Sequence, residues 1–217
     1  MAIEDILHWS SGIGWIILSG GTSFGGEVRA QVLRRIKSSG GVAYLGFDED
    51  SSDETLDDME DLGAPTGYLV NIVAEDDQTI REQLEDASLI MIDDSVSAEA
   101  WRDTLPGAAA EGILAALETG TIVLAEGRGA VALGQFMLDE AGKLTRGLGW
   151  LENLLILPEV TRIADSEAAR QTLDFEPSAV ALGIGVESAL ALGPDGVLEV
   201  LGRGQVAIGL GRAWQNP

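Results

Sequence analysis

The sequence predicts a three-layer α/β/α fold on a mostly parallel central sheet, with an antiparallel hairpin from the C-terminal third. Three observations predict it. Short β-branched and aliphatic runs alternate with helical patterns, as in βαβ units whose sheet is covered on both faces. The run Ile122-Val123-Leu124-Ala125-Glu126-Gly127-Arg128-Gly129-Ala130-Val131-Ala132-Leu133 reads as a strand, a tight glycine turn and a helix. Beyond residue 178 the pattern changes to short strands separated by glycine-rich turns.

In chain order, the parallel-sheet strands are expected at 15–19, 42–47, 68–73, 89–92, 121–125 and 154–157. Val28, Val32 and Ile36 recur every four residues, so the spacing predicts an amphipathic helix over 27–39, ended by Gly40-Gly41. A second helix over 55–62 carries Leu56, Met59 and Leu62 on one face. The third, 78–86, follows Asp76-Asp77, acidic residues suited to a cap and to the positive end of the helix dipole. Residues 108–119 are Ala/Leu-rich with Gly120 as a stop, and Asp165 is a cap for a helix over 166–173. The last strands are expected at 179–185, 189–192, 197–201 and 206–210, with Pro194-Asp195-Gly196 a strong turn signal between two of them.

At 217 residues and 46% hydrophobic content the chain can bury a substantial core. Without a visible linker or internal repeat, one domain over 1–217 is the expectation. The absence of cysteine excludes disulfides, thiolate metal ligands and a cysteine nucleophile, and points to an intracellular protein. A net charge of −23, from 36 acidic and 13 basic residues, repels a phosphate backbone, so no nucleic-acid partner is expected. Lysine is confined to Lys37 and Lys143 while arginine is ordinary, which fits a G+C-rich source or solubility in high salt. The apolar stretch 15–18, preceded by Ile13, is too short to cross a bilayer and has no basic flank, so a cytoplasmic protein without a membrane partner is expected.

The turn at 126–130 has the layout in which α/β hydrolases mount a nucleophile, with small residues Gly127, Gly129 and Ala130, but neither Ser nor Cys is there. Its functional side chains are Glu126 and Arg128. The single histidine, His8, precedes the first strand, whereas a catalytic base would come from the loops around the turn. The acidic run at 48–54 lacks the glycine of an EF-hand loop and reads as solvated. Gly20-Gly21-Thr22-Ser23-Phe24-Gly25-Gly26 lacks both the G-x-G-x-x-G order and a Gly-Lys-Ser/Thr ending, and reads as a structural turn rather than a nucleotide loop. Trp9, Trp15, Trp101, Trp150 and Trp214 are scattered, which suits core or interface packing. No cofactor and no metal are expected.

The order of motifs resembles the cyanophycinase and dipeptidase E family of serine peptidases, over nearly the whole chain. Ile17-Leu18-Ser19-Gly20-Gly21 is similar to that family's first strand and turn, Tyr44-Leu45-Gly46 to its second strand, and Leu62-Gly63-Ala64 with Tyr68-Leu69-Val70 to the passage that follows. The segment 80–92 resembles the helix and strand leading to the Gly-Gly oxyanion turn. Glu126-Gly127-Arg128-Gly129-Ala130 falls on the nucleophile elbow, Gly147-Leu148-Gly149 on the motif before the histidine-bearing strand, and Leu182-Gly183-Ile184-Gly185 on the C-terminal Gly-Ile-Gly motif. The resemblance implies a class I glutamine amidotransferase-like fold and a serine hydrolase ancestry.

The departures fall where the chemistry would be. The family's serine corresponds to Gly127, its histidine to the stretch Pro158-Glu159-Val160, and its oxyanion glycines to Asp93-Asp94. A serine acyl transfer needs nucleophile, base and oxyanion donors together. The expected protein is therefore a non-catalytic homologue that binds or builds, as a homodimer, with a related subunit or with an unspecified small-molecule or peptide ligand. Its vestigial or repurposed site comprises Asp93, Asp94, Glu126, Gly127, Arg128 and Glu159.

Two alternatives keep an enzyme. Carboxylates beyond the carboxyl ends of parallel strands could hold Mg²⁺ or Ca²⁺ or act as a general acid or base, with Arg128 neutralising them or fixing an anionic substrate. The plainer arrangement pairs Arg128 with one carboxylate and leaves the others solvated. The second alternative is a relocated nucleophile at Ser23, Ser95 or Ser97, each also suited to a turn or helix cap.

Overall fold

The computed structural model describes residues 12–21, 26–36, 40–48, 53–139 and 141–214. A seven-stranded sheet is built from β1 (Trp15–Ser19), β2 (Val42–Gly46), β3 (Gly67–Asn71), β4 (Leu89–Ile92), β5 (Ile122–Glu126), β10 (Ser188–Leu192) and β11 (Leu198–Gly202). Its order is β11-β10-β1-β5-β4-β2-β3. The five strands from β1 to β3 run parallel, while β10 and β11 form the expected antiparallel hairpin against β1.

Strand alternation divides the core. Ile17, Val42, Tyr44, Met91 and Leu124 face Val28 and Val32 of α1 (Glu27–Leu33) and Met59 of α2 (Asp53–Asp61). Ile16, Leu18, Leu45, Ile90 and Val123 face the opposite layer. That layer contains α3 (Asp77–Glu85), α4 (Ala98–Thr104), α5 (Ala108–Thr119) and α6 (Arg128–Leu133). Two-residue periodicity on strands clothed on both sides gives the three-layer α/β/α arrangement.

A second, five-stranded sheet has the order β12-β9-β8-β6-β7, from β6 (Gly134–Leu138), β7 (Leu144–Arg146), β8 (Leu151–Pro158), β9 (Val180–Ile184) and β12 (Val206–Leu210). The run at 154–157, expected in the central sheet, belongs here and is longer, and the C-terminal strands divide between the two sheets. Leu154, Ile156, Val180 and Leu182 join the main core, while Leu155 and Ala181 point the other way to Ala169 of α7 (Glu167–Phe175).

Other boundaries shift for identifiable reasons. The first helix ends at Leu33, because Arg35 and Ile36 donate three-residue bonds to Val32 and Leu33 that tighten the chain out of the α form. Residues 37–39 of the expected helix lie outside the described residues. The cap of α7 is Ser166, whose hydroxyl accepts from Ala169 N, whereas Asp165 sits in the preceding 3-10 turn. Asp76 caps α3 by accepting from Gln78 N and Thr79 N, and Gly120 ends α5 at φ 109°. The helix α4 and strands β6 and β7 were not expected, since each is short and no periodic run marks it. Among the described residues no helix is long and apolar enough to cross a membrane.

Candidate functional site

Parallel register brings the carboxyl ends of three strands together. Ser19 pairs with Glu126 and Ile92 with Ala125, so Asp93 and Glu126 emerge at the same edge. Gly127 follows at φ 52° and ψ −119°, a backbone that costs a residue with a side chain considerable strain. Its N–H donates to Ser19 O at 3.0 Å, which anchors the turn to β1. Gly129 has a different need, because a Cβ there would lie 2.6 Å from the carbonyl oxygens of both Ile92 and Asp93. The start of α6 can therefore pack directly on the end of β4.

The space that a side chain at Gly127 would take is filled by Asp94. A Cβ on Gly127 would meet Asp94 Cγ at 2.6 Å and its Oδ1 at 2.8 Å. Asp94 Oδ1 accepts from Arg128 N at 2.8 Å and from Arg128 Nε at 2.7 Å. A carboxylate oxygen thus occupies the backbone donor just after the turn, the donor type that stabilises an oxyanion when it is free. Both side chains of this pair are about half exposed, at 54% and 53%.

Beneath them lies a buried polar system. Arg29 of α1 donates to Glu126 Oε1 at 3.2 Å and Oε2 at 2.6 Å, and to Asp58 Oδ2 of α2 at 2.7 Å. All three side chains are no more than 8% exposed. Burial opposes the Arg29 cation, but its hydrogen bonds to Glu126 and Asp58 and their negative charges outweigh that penalty and raise its pKa above the ordinary arginine value. Tyr44 OH donates to Asp93 Oδ2, and Ser95 donates to Asp93 Oδ1 through N at 3.0 Å and Oγ at 2.6 Å. Burial, then the hydrogen bond to Asp93 and its charge, raises the Tyr44 pKa, so this phenol is neutral at ordinary pH. Trp101, fully buried edge-on to Phe47 at 4.9 Å, donates Nε1 to Asp93 O at 3.0 Å and fixes the turn from below.

Asp93, Asp94, Glu126 and Glu159 line one cavity of about 210 Å³, together with Gly21, Arg29 and Val186. Gly127 and Arg128 form its neighbouring turn, so the six residues singled out from the sequence come together. Glu159 reaches it in the left-handed region at φ 62°, immediately after β8. Two expectations need correction. Arg29, rather than Arg128, neutralises Glu126, and Asp93 and Glu126 are buried rather than solvated. Ser95 and Ser97 serve a turn and the cap of α4, with Ser97 Oγ accepting from Ala100 N. Ser23, His8 and the centre of the acidic run lie outside the described residues. Among the described residues no group of three or more His, Cys, Asp or Glu is arranged to hold a metal ion.

Sequence reasoning missed Arg29, Asp58 and Tyr44. Arg29 adjoins Val28 on a face reserved for core residues, and a charge there was the available signal of a buried partner.

No protein-family pattern matches the chain, and no curated protein matches it. Solved structures do. A peptidase from an acI-B1 actinobacterium superposes with a TM-score of 0.76 at 18% identity, covering 92% of this chain and 91% of that one. A peptidase E candidate from Listeria monocytogenes EGD-e gives a TM-score of 0.61 at 14% identity, covering 87% of this chain and 98% of that one. At these identities the likeness is one of fold, and the fold is that of peptidase E-like proteins.

Proposed function

We propose that this chain is a homologue of the cyanophycinase and dipeptidase E peptidases that has lost serine acyl chemistry and acts as a cytoplasmic binding or structural protein. The observation that carries the reading is the pairing of Gly127 with Asp94. The turn keeps the strained backbone of a nucleophile elbow, while the volume of the nucleophile and the adjacent N–H donor are both taken by a carboxylate. An oxyanion forming there would meet negative charge in place of a donor. Tyr44 and Arg29 hold the surrounding carboxylates, and Trp101 the Asp93 backbone carbonyl, in a packed arrangement, which supports a retained architecture.

Purified protein incubated with β-aspartyl dipeptides and cyanophycin-type polymer should release no product, and a fluorophosphonate probe should label no serine. Turnover that the probe abolishes would overturn the reading. Should turnover be found, Ser95→Ala tests a serine hydroxyl that contacts a carboxylate of this site, Asp93.

A further inference from the structure

On the far side of Arg128 lies a second cavity, of about 270 Å³, between α4, α6 and the carboxyl ends of β6 and β8. Its wall is apolar: Val131, Leu138, Ile156, Leu157 and Pro158, with Ala98 at the base of α4. It is smaller than the roughly 300–1,000 Å³ of sites for drug-sized ligands, which limits an occupant to a short chain. Ile156 and Leu157 are buried from β8, so the wall is part of a packed sheet.

Arg128 is the cation at the rim. Its backbone N and Nε are committed to Asp94, but among the described residues neither Nη has an acceptor. More than half of its side chain is exposed. The guanidinium is thus held by one edge and presents a planar donor edge over an apolar wall, an arrangement matched to a carboxylate. The two acidic residues at the rim are engaged elsewhere. Asp139 Oδ1 accepts from Ala141 N at 3.0 Å and Lys143 N at 2.8 Å, and Glu99 has a partner of its own. Their charges, with Asp94, disfavour a dianion more than a monoanion.

We propose that this cavity binds small aliphatic monocarboxylates, with the chain against Val131, Leu138 and Ile156 and the carboxylate on the free edge of Arg128. Such a head group and body occur in a free short-chain acid and in the C-terminal residue of a peptide. The site goes beyond the loss of catalysis and stands or falls separately, since binding and turnover are read in different assays.

Calorimetric titration of the full chain at low salt tests it with butanoate, octanoate, 1-octanol and N-acetyl-leucine. Octanoate should bind more tightly than butanoate, by up to about fourfold for each added methylene that is buried. It should also exceed 1-octanol by at least about tenfold, because only the acid engages the cation. Arg128→Gln should erase that preference for acid over alcohol, and Glu99→Gln should tighten octanoate. Val131→Trp, which fills the cavity, should abolish binding of all four while the thermal transition remains cooperative. N-acetyl-leucine binding more tightly than octanoate assigns the site to peptide C-termini, and the reverse assigns it to free acids. No binding by either, equal binding of acid and alcohol, or an Arg128→Gln variant unchanged in its preference would each overturn the proposal.

Discussion

Replacing Gly127 by alanine puts a methyl group where Asp94 now sits. The added Cβ would lie 2.6 Å from Asp94 Cγ and 2.9 Å from its Cβ. Carbon atoms pack at about 3.5–4.0 Å, so Asp94 has to withdraw and give up its bonds from Arg128. The backbone contributes a second cost, because a residue with a side chain at φ 52° and ψ −119° carries strain of about 1–3 kcal/mol. Overpacking and the lost hydrogen bonds bring the expected destabilisation to about 2–4 kcal/mol, discounted because the Asp94–Arg128 pair is half exposed. Asp94→Ala alone should cost only about 0.5–1.5 kcal/mol, the net worth of its hydrogen bonds. The double variant keeps the strain and the 2.9 Å approach of the residue-94 Cβ but removes the contacts with Cγ and Oδ1, so it should be more stable than the sum of the two by about 1–2 kcal/mol, within the range for residues in contact. Urea unfolding of the four proteins at neutral pH measures this. Gly63→Ala, at φ 87° with nothing within 4 Å of its added Cβ, isolates the cost of positive φ without a clash. If the Gly127 and Asp94 effects add to within about 0.5 kcal/mol, Asp94 does not occupy the elbow and the reasoning fails.

Three further outcomes can be checked in the same way. Arg29→Met leaves Glu126 and Asp58 buried without their cation and should destabilise by about 3–5 kcal/mol in urea unfolding; a loss under 1 kcal/mol, about the worth of an exposed pair, would show that the network is not buried in solution. The raised folded-state pKa of Tyr44 means that the unfolded chain loses this proton first, so the Tyr44 contribution is intact below the ordinary tyrosine value of about 10 and declines above it. The decline approaches about 1.4 kcal/mol per pH unit, with a second tyrosine, Tyr68, acting in the same direction. Tyr44→Phe should flatten the alkaline fall in stability, and an unchanged slope would place the effect elsewhere. Ser166→Ala should lower the stability of α7 by about 1 kcal/mol, whereas Asp165→Ala should change it far less, as denaturant midpoints will distinguish.

Elements that carry their own period or cap were legible in the sequence. The strands at 15–19 and 89–92 and the helix at 108–119 match to the residue, because each is a dense apolar run with a clear stop. The three-layer fold and the C-terminal hairpin were also readable, from βαβ alternation and from the turn at Pro194-Asp195-Gly196. The second sheet was not. Its strands β6 and β8 pair in parallel across a register shift, and β7 is only three residues long, so nothing local marks them as a separate sheet. At the site, Asp93, Asp94 and Glu126 were legible because chain order puts them beyond the carboxyl ends of parallel strands, and Gly127 and Arg128 because a glycine turn follows β5. Glu159, which follows β8 of the second sheet, was marked only by the resemblance to the peptidase family. Arg29 and Asp58 come from two helices on the opposite face, and their meeting with Glu126 depends on helix placement that no local pattern encodes.

The geometry also makes Gly127 and Asp94 dependent on each other. Asp94 can accept from Arg128 N only because Gly127 presents no side chain, and the strained turn at Gly127 is packed only because Asp94 fills it. A serine placed at Gly127 would collide with the carboxylate, and with Asp94 removed it would still have no histidine beside it among the described residues. On the proposed reading, the route back to serine chemistry therefore requires at least three coordinated changes: the nucleophile, the clearing of Asp94 and a base beside them. Gly127→Ser combined with Asp94→Gly should accordingly fold, because the clash is relieved, yet remain without turnover of β-aspartyl dipeptides. Activity in that double variant would mean that a base is already in place around the elbow, and that the turn is an active site lacking only its nucleophile.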